Sequence, residues 1–156
     1  MAKDKIKTNA LRVLDKSKVS YSYETYEVID GVSVPAVSES LEGRVFKTLL
    51  VRGKSQQIYV CVVPLGKELD LKKVSLITKE KKIEMLPLNE LLPTTGYVRG
   101  GCSPIGMKKL FPTLIALEAT ESDVMLVSGG KIGLRLIIAP TDLAQVVKAK
   151  IVDLTL

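Results

Sequence analysis

The chain has 156 residues, 46% of them hydrophobic, and a formal net charge of +6, which is ample apolar material for one domain spanning residues 1–156. It contains no histidine and two cysteines, Cys61 and Cys102, which excludes Ser-His and Cys-His couples, an H-E-x-x-H site, an imidazole base, a structural zinc site and a disulfide framework. The basic balance favours an acidic partner such as nucleic acid, and an aromatic content of 4% without tryptophan makes phosphate contact, rather than base stacking, the dominant expected mode. No apolar run approaches the roughly 20 residues that cross a bilayer, and the amino-terminal MAKDKIKTNALRVL has no uninterrupted apolar stretch of a signal peptide. A cytoplasmic protein with no membrane partner is the simplest expectation.

Thr8 is placed to cap a helix running to about Lys16, with Ala10, Leu11, Val13 and Leu14 as its apolar face and Lys16 and Lys18 at its C-terminal end. Val19 to Val28 is rich in tyrosine, valine and threonine and predicts a strand in which Tyr21 and Tyr23 share a face opposite Tyr26. A turn follows at Asp30-Gly31, then a short helix after Pro35 with a stripe of Ala36, Val37, Ser40 and Leu41. Val45 to Arg52 and Gln57 to Pro64 read as a hairpin around Arg52-Gly53-Lys54-Ser55-Gln56. Alternation puts Phe46, Thr48 and Leu50 on one face and Val45, Lys47, Leu49 and Val51 on the other. Lys47 therefore stands among aliphatic neighbours, where a lysine snorkels, finds a partner, guards an edge or serves a ligand.

Asp70 is placed to cap a helix to about Thr78. The lysines around it, Lys67, Lys72, Lys73, Lys79, Lys81 and Lys82, form a solvated face that would make a track for an acceptor stem if it lay beside the glycine loop. Asn89 to Leu92 predicts a helical turn ended by Pro93. Strands are expected at Thr113 to Glu118, Val124 to Val127 and Leu134 to Ala139, the last two joined by Ser128-Gly129-Gly130-Lys131-Ile132-Gly133. Thr141 or Asp142 caps a final helix through Lys148, and Ile151, Val152 and Leu154 make a closing strand.

Between these elements lies Thr95 to Lys109, TGYVRGGCSPIGMKK, with Gly96, Gly100, Gly101, Gly106 and Pro104 close together. Such a loop can aim several amides at one anion or carbonyl oxygen, with Met107 to Leu110 supplying a helix N-terminus behind it, or it can be a long connection with a structural glycine pair.

Gly100-Gly101-Cys102-Ser103-Pro104 matches the G-x-x-x-P loop of the YbaK family of Cys-tRNA(Pro) deacylases, which are related to the editing domain of bacterial prolyl-tRNA synthetase. Lys7-Thr8-Asn9-Ala10, Val45-Phe46-Lys47-Thr48-Leu49, Glu68 to Lys73, Thr95-Gly96-Tyr97 and Val127 to Lys131 follow in the order that family shows, so the resemblance covers nearly the whole chain. It implies a mixed α/β fold with a mainly antiparallel, curved or barrel-like sheet and flanking helices. It also implies a trans-editing deacylase that acts on the acceptor end of mischarged tRNA, in transient complex with prolyl-tRNA synthetase and without metal or other cofactor.

An ester can be cleaved by positioning and carbonyl polarisation alone. The resemblance implies that the thiol of the misattached cysteine attacks its own ester, leaving a thiolactone that opens in water. In that scheme Gly100 and Gly101 polarise the carbonyl and Lys47 fixes the substrate or a nearby phosphate. Tyr26, Thr48 and Ser128 complete the aminoacyl-adenosine pocket, beside Cys102, Ser103, Pro104 and Gly129. Cys102 has no base to take its proton and sits at an x position of the motif, and Ser103 and Ser128 share that lack of a base. The sequence departs from the family in lacking the histidine some relatives have near Tyr26, and in carrying Ile132 where a basic residue is frequent. Two other readings remain open: deacylation of another small aminoacyl-tRNA such as Ala-tRNA(Pro), and a non-catalytic adaptor for tRNA or synthetase.

Overall fold

The computed structural model describes residues 7–29, 32–34 and 43–156; the expected Asp30-Gly31 turn and the helix after Pro35 lie outside them. Helix α1 (Asn9–Ser17) starts where expected, with the Thr8 hydroxyl accepting from the Leu11 amide and Lys18 ending it in the left-handed region. Its residues Ala10, Leu11 and Leu14 are buried. The single strand expected from Val19 to Val28 is two, β1 (Tyr21–Thr25) and β2 (Glu27–Ile29), the latter paired with β3 (Val32–Val34). The break falls at Tyr26, whose amide donates to the Gly133 carbonyl at 2.8 Å, the last bond in register with β9 before the chain turns to pair with β3.

The hairpin forms as expected from β4 (Phe46–Gly53) and β5 (Ile58–Pro64), antiparallel with Lys47 opposite Val63. Helix α2 (Leu71–Thr78) is capped by Asp70, which accepts from the Lys72 and Lys73 amides. Strand β6 (Ile83–Met85) then pairs with β4. A 3-10 turn at Leu88–Glu90 runs into the short helix α3 (Leu91–Thr95), so Pro93 lies inside the helix rather than ending it. Proline is tolerated there because N–H groups of the first turn have no intrahelical acceptor in any case. Gly96, with φ of 87°, closes α3.

Strand β7 (Thr113–Ala116) is shorter than expected because a 3-10 turn takes over at Leu117–Glu121. Strands β8 (Met125–Ser128) and β9 (Leu134–Ile138) form the expected antiparallel pair. Helix α4 (Pro140–Val147) begins at a proline after Ala139, with no side-chain cap, so neither Thr141 nor Asp142 is the N-cap; Pro140 starts the helix because its fixed φ already suits the first turn. Strand β10 (Lys150–Val152) ends the chain's regular structure.

Two sheets carry the fold. One has three strands in the order β1-β9-β8, all antiparallel; the other has five, β10-β7-β5-β4-β6, with β7 parallel to both neighbours. A parallel bridge between Val45 and Leu126 joins the sheets. The architecture is thus the expected mixed α/β one with antiparallel pairs in the majority, but no closed barrel forms among the described residues. Leu134, Leu136 and Ile138 on β9 are fully buried and share the core with Val60 to Val63 of β5, Ile115 and Leu143. The intervening β9 residues, Arg135 and Ile137, face the other way.

Candidate active site

The resembling motifs divide into those that build the glycine loop's support and those that face a cleft. The support comes first in the chain. The Thr8 hydroxyl, besides capping α1, donates to the Gly129 carbonyl, and the Asn9 side-chain amide donates to the Gly106 carbonyl. One short segment therefore clamps the turns at Gly106 and Gly129 together. Tyr97, only 6% exposed, donates its hydroxyl to the Ile105 carbonyl at 2.7 Å, and its amide is held by the Thr95 hydroxyl at 3.0 Å. Ser103 is fully buried and accepts the Ile105 amide. A Cβ on Gly106 would lie 2.9 Å from the Asn9 backbone and the Tyr97 hydroxyl, so only glycine permits this approach.

No helix follows the loop: residues 104–112 run in bends and extended backbone, so Met107 to Leu110 add no helix N-terminus to the site. Gly101 is closed off as well. Its amide donates to the Val98 carbonyl at 3.0 Å, and a Cβ there would meet the Lys131 and Ile132 backbone at 2.9–3.0 Å. Gly101 is where the two glycine turns lie in contact, not an open donor. Gly129 is similarly committed, its amide donating to Leu134 at 2.9 Å.

The cleft itself has a volume of about 790 Å³, and Tyr26, Lys47, Thr48, Gly100, Cys102 and Ser128 all line it. Six of the ten residues named from sequence thus meet in one place. The other four, Gly101, Ser103, Pro104 and Gly129, are absent from its lining. Pro104 instead borders a second cavity of about 230 Å³ beneath the loop, together with Val13, Phe111 and Val146. The Thr48 hydroxyl is buried with no hydrogen-bond partner among the described residues.

Burial pushes the Cys102 thiol up to about 11, and Cys61, deep in β5, up to about 12. Both are free and protonated at neutral pH. No cluster of three metal-ligating side chains occurs among the described residues, and no helix among them is long and apolar enough to cross a membrane.

Sequence reasoning missed one cleft residue of consequence, Arg135. It lies opposite Glu24 on β1 and Ser128 on β8, so the three side chains form a row across one sheet face. Its guanidinium stands 4.2 Å from the centre of the Tyr26 ring and 3.9 Å from the Glu24 carboxylate. A lone charge at the alternate position of the apolar run LRLII was the available signal. Arg99 and Ile132 also line the cleft, at the lip where the glycine turns touch.

The lysine cluster does not lie beside the glycine loop, the condition under which it would make a track for an acceptor stem. Lys54 donates its amide to the Lys82 carbonyl at 3.0 Å, placing Lys79, Lys81 and Lys82 at the hairpin end of β4, roughly 20 Å from Lys47 at strand rise. Lys67 and Lys73 pair instead with Glu118 and Asp153.

Lys47 and a glycine turn thus border one cleft in a chain without histidine. The sequence profile of the aminoacyl-tRNA editing domain matches residues 31–146. The chain belongs to that family, a class of aminoacyl-tRNA deacylases. It is 45% identical, over 99% of its own length and 98% of the other's, to the Enterococcus faecalis protein named "Putative Cys-tRNA(Pro)/Cys-tRNA(Cys) deacylase EbsC". Among solved structures it resembles the hypothetical protein APE2540 with a TM-score of 0.82 at 18% identity, covering 96% of this chain and all of the other. It also resembles a "putative trans-editing enzyme for prolyl tRNA synthetase" with a TM-score of 0.75 at 19% identity, covering 97% and 99%. At such identities these two likenesses speak to the fold alone.

Proposed function

We propose that the chain clears cysteine misattached to tRNA, with Cys-tRNA(Pro) as substrate, and that the nucleophile is the substrate's own thiol. The observation carrying this reading is that the cleft gathers Lys47, Thr48 and Ser128 beside the glycine turn, while the chain has no histidine and its cleft thiol is protonated at neutral pH. The similarity to a protein named for Cys-tRNA(Pro) and Cys-tRNA(Cys) supports the choice of amino acid.

In the reaction, the cysteinyl sulfur attacks the ester carbonyl carbon, the S–C bond forms, and the bond from that carbon to the tRNA ribose oxygen breaks. The thiol proton ends on the released ribose hydroxyl. Water then opens the thiolactone to free cysteine, so the sum is hydrolysis of one ester. Lys47 holds the substrate oxygen or an adjacent phosphate. Because the Gly101 amide is engaged, the carbonyl is assigned to the amides of Gly100 and Cys102, two cleft-lining residues whose amides donate to no acceptor among the described residues. Tyr26, Thr48 and Ser128 border the aminoacyl-adenosine end, and Ser103, Pro104 and Gly129 act from behind by holding the loop. Prolyl-tRNA synthetase is the proposed transient partner, supplying tRNA selection that a cleft of this size does not.

The test is a deacylation panel on Cys-, Ala- and Ser-charged tRNA(Pro), with the cysteine thiol free or alkylated, with and without the synthetase. Release of cysteine that stops when its thiol is blocked is expected. Equal release of alanine would replace the thiol route with water attack, and a covalent acyl adduct on the protein after quenching would overturn it.

A further inference from the structure

Arg135 lines the cleft, and the proposed reaction has not used its chemistry. Its side chain is 11% exposed and donates no hydrogen bond among the described residues, Glu24 lies at 3.9 Å, beyond hydrogen-bond reach, and its guanidinium nitrogens are not sealed from solvent as the Glu24 Oε1 is. A guanidinium carries five N–H donors and stays charged at any working pH. The Tyr26 ring occupies one face of the group, leaving the in-plane donors as its means of binding. Glu24 fixes its orientation and offsets part of its charge, while its own Oε1 is buried without a hydrogen-bond donor among the described residues. An ion pair made for stability alone would close this gap, since leaving the buried Glu24 oxygen without a donor is costly.

We propose that Arg135 meets the negative charge that develops on the aminoacyl ester during cleavage, a role that rests on the deacylase reading above. Position favours this over tRNA phosphate. Arg99 lies exposed at the cleft lip and Lys131 exposed beside it, where a ribose-phosphate chain would pass, whereas Arg135 is only 11% exposed on the central strand of its sheet, opposite Ser128. With no base on the protein, a cation beside the sulfur favours the thiolate before attack, and beside the carbonyl it favours the oxyanion during attack. Both are the same chemistry, a fixed guanidinium facing an anion that forms only on the reaction path.

The test compares Arg135→Gln, Arg135→Lys and Glu24→Gln, with Arg52→Gln as a control outside the cleft and thermal melts to establish folding. The expected result for Arg135→Gln is a loss of roughly 10- to 100-fold in kcat with KM changed less than about threefold, and partial recovery in Arg135→Lys. If the thiolate is the anion, the rising limb of the pH–rate profile moves to higher pH; if the oxyanion, kcat falls equally at every pH. Binding supplies a readout independent of turnover. Two non-hydrolysable mimics of cysteinyl-adenosine serve, a neutral 3′-amide and an anionic tetrahedral phosphonate, and Arg135→Gln is expected to lose about tenfold or more in affinity for the phosphonate alone. Equal losses for both mimics, a raised KM with intact kcat, or a Glu24→Gln protein as impaired as Arg135→Gln would each overturn the assignment. Wild-type protein that prefers the phosphonate through Arg135 yet releases no cysteine from tRNA would instead sink the deacylase reading.

Discussion

One arginine–glutamate pair lies at the hairpin end of β4 and another, on β9 and β1, faces the cleft at its other end, and they are built to opposite plans. At the hairpin end, Arg52 grips Glu90 with two hydrogen bonds of 2.8 and 3.2 Å, and Glu80 accepts from Ser55 and Tyr59. Arg52 thereby holds the Glu90 carboxyl below its ordinary range, and the Ser55 and Tyr59 hydrogen bonds do the same for Glu80. At the cleft end, Lys47 has no ion pair among the described residues, Thr48 lacks a partner, and Arg135 stands off from Glu24. One end uses its polar groups on itself. The other keeps them open, which costs stability and is the usual mark of a site where a ligand completes the bonding.

The sharpest way to break that contrast is to truncate one cation at each end. Lys47→Ala is expected to lose about a hundredfold or more in Cys-tRNA(Pro) deacylation with little change in melting temperature. Arg52→Ala should do the reverse: full activity and, since the pair is partly exposed, a small loss of stability in denaturant unfolding. A Lys47→Ala protein that works at the wild-type rate would remove the lysine from the mechanism.

Gly101 tests whether the support and the cleft act together. Alanine there places a Cβ against the Lys131 and Ile132 backbone, so one turn must move away from the other. A fall of roughly tenfold in kcat is expected with binding of tRNA retained, because the donors at Gly100 and Cys102 shift while the phosphate contacts do not. An unchanged kcat would show that the contact between the turns is not needed for the chemistry.

Cys102 borders the cleft but belongs energetically with the buried side. Burial raises its thiol to about 11 and that of Cys61 to about 12. A raised folded-state value means the neutral thiols favour the fold fully below the ordinary thiol range, near pH 9, and that this contribution is lost as pH rises through 11 to 12. Iodoacetamide labelling followed by mass spectrometry should therefore be slow at pH 8 at both residues, and Cys102→Ser should turn over within about threefold of wild type. Labelling of Cys102 faster than free cysteine at pH 8 would show an activated thiol.

What could be read from the chain followed the range of the interactions. Thr8 and Asp70 were legible as caps, and the β4–β5 and β8–β9 pairs as hairpins, because each is set by neighbours in sequence. The placement of β7 parallel to β5 and β10 was not, since parallel pairing depends on distant segments. Within the site, Lys47 announced itself as a charge in an apolar strand, whereas Arg135 in the same situation passed unnoticed beside the motif. The glycine loop was recognised as special, but its division of labour was hidden: whether an amide is open or already bonded, as at Gly101, is decided by tertiary contact. For the same reason the Lys67 to Lys82 run read as one surface although the fold splits it between two ends of β4.

That split gives the smallest expected effect and the cleanest control. Replacing Lys79, Lys81 and Lys82 together by glutamine removes three positive charges at the closed end, roughly 20 Å along the strand from Lys47. At physiological salt this exceeds the screening length of about 8 Å, so kcat/KM and the salt dependence of tRNA affinity should stay within experimental error. Neutralising Lys131 at the open end is expected to lower the slope of log affinity against log salt by about 0.7, the value for one phosphate contact on single-stranded nucleic acid. If the triple variant lowers the slope as much, the tRNA lies along the whole strand rather than at the cleft, and both ends of β4 belong to its binding surface.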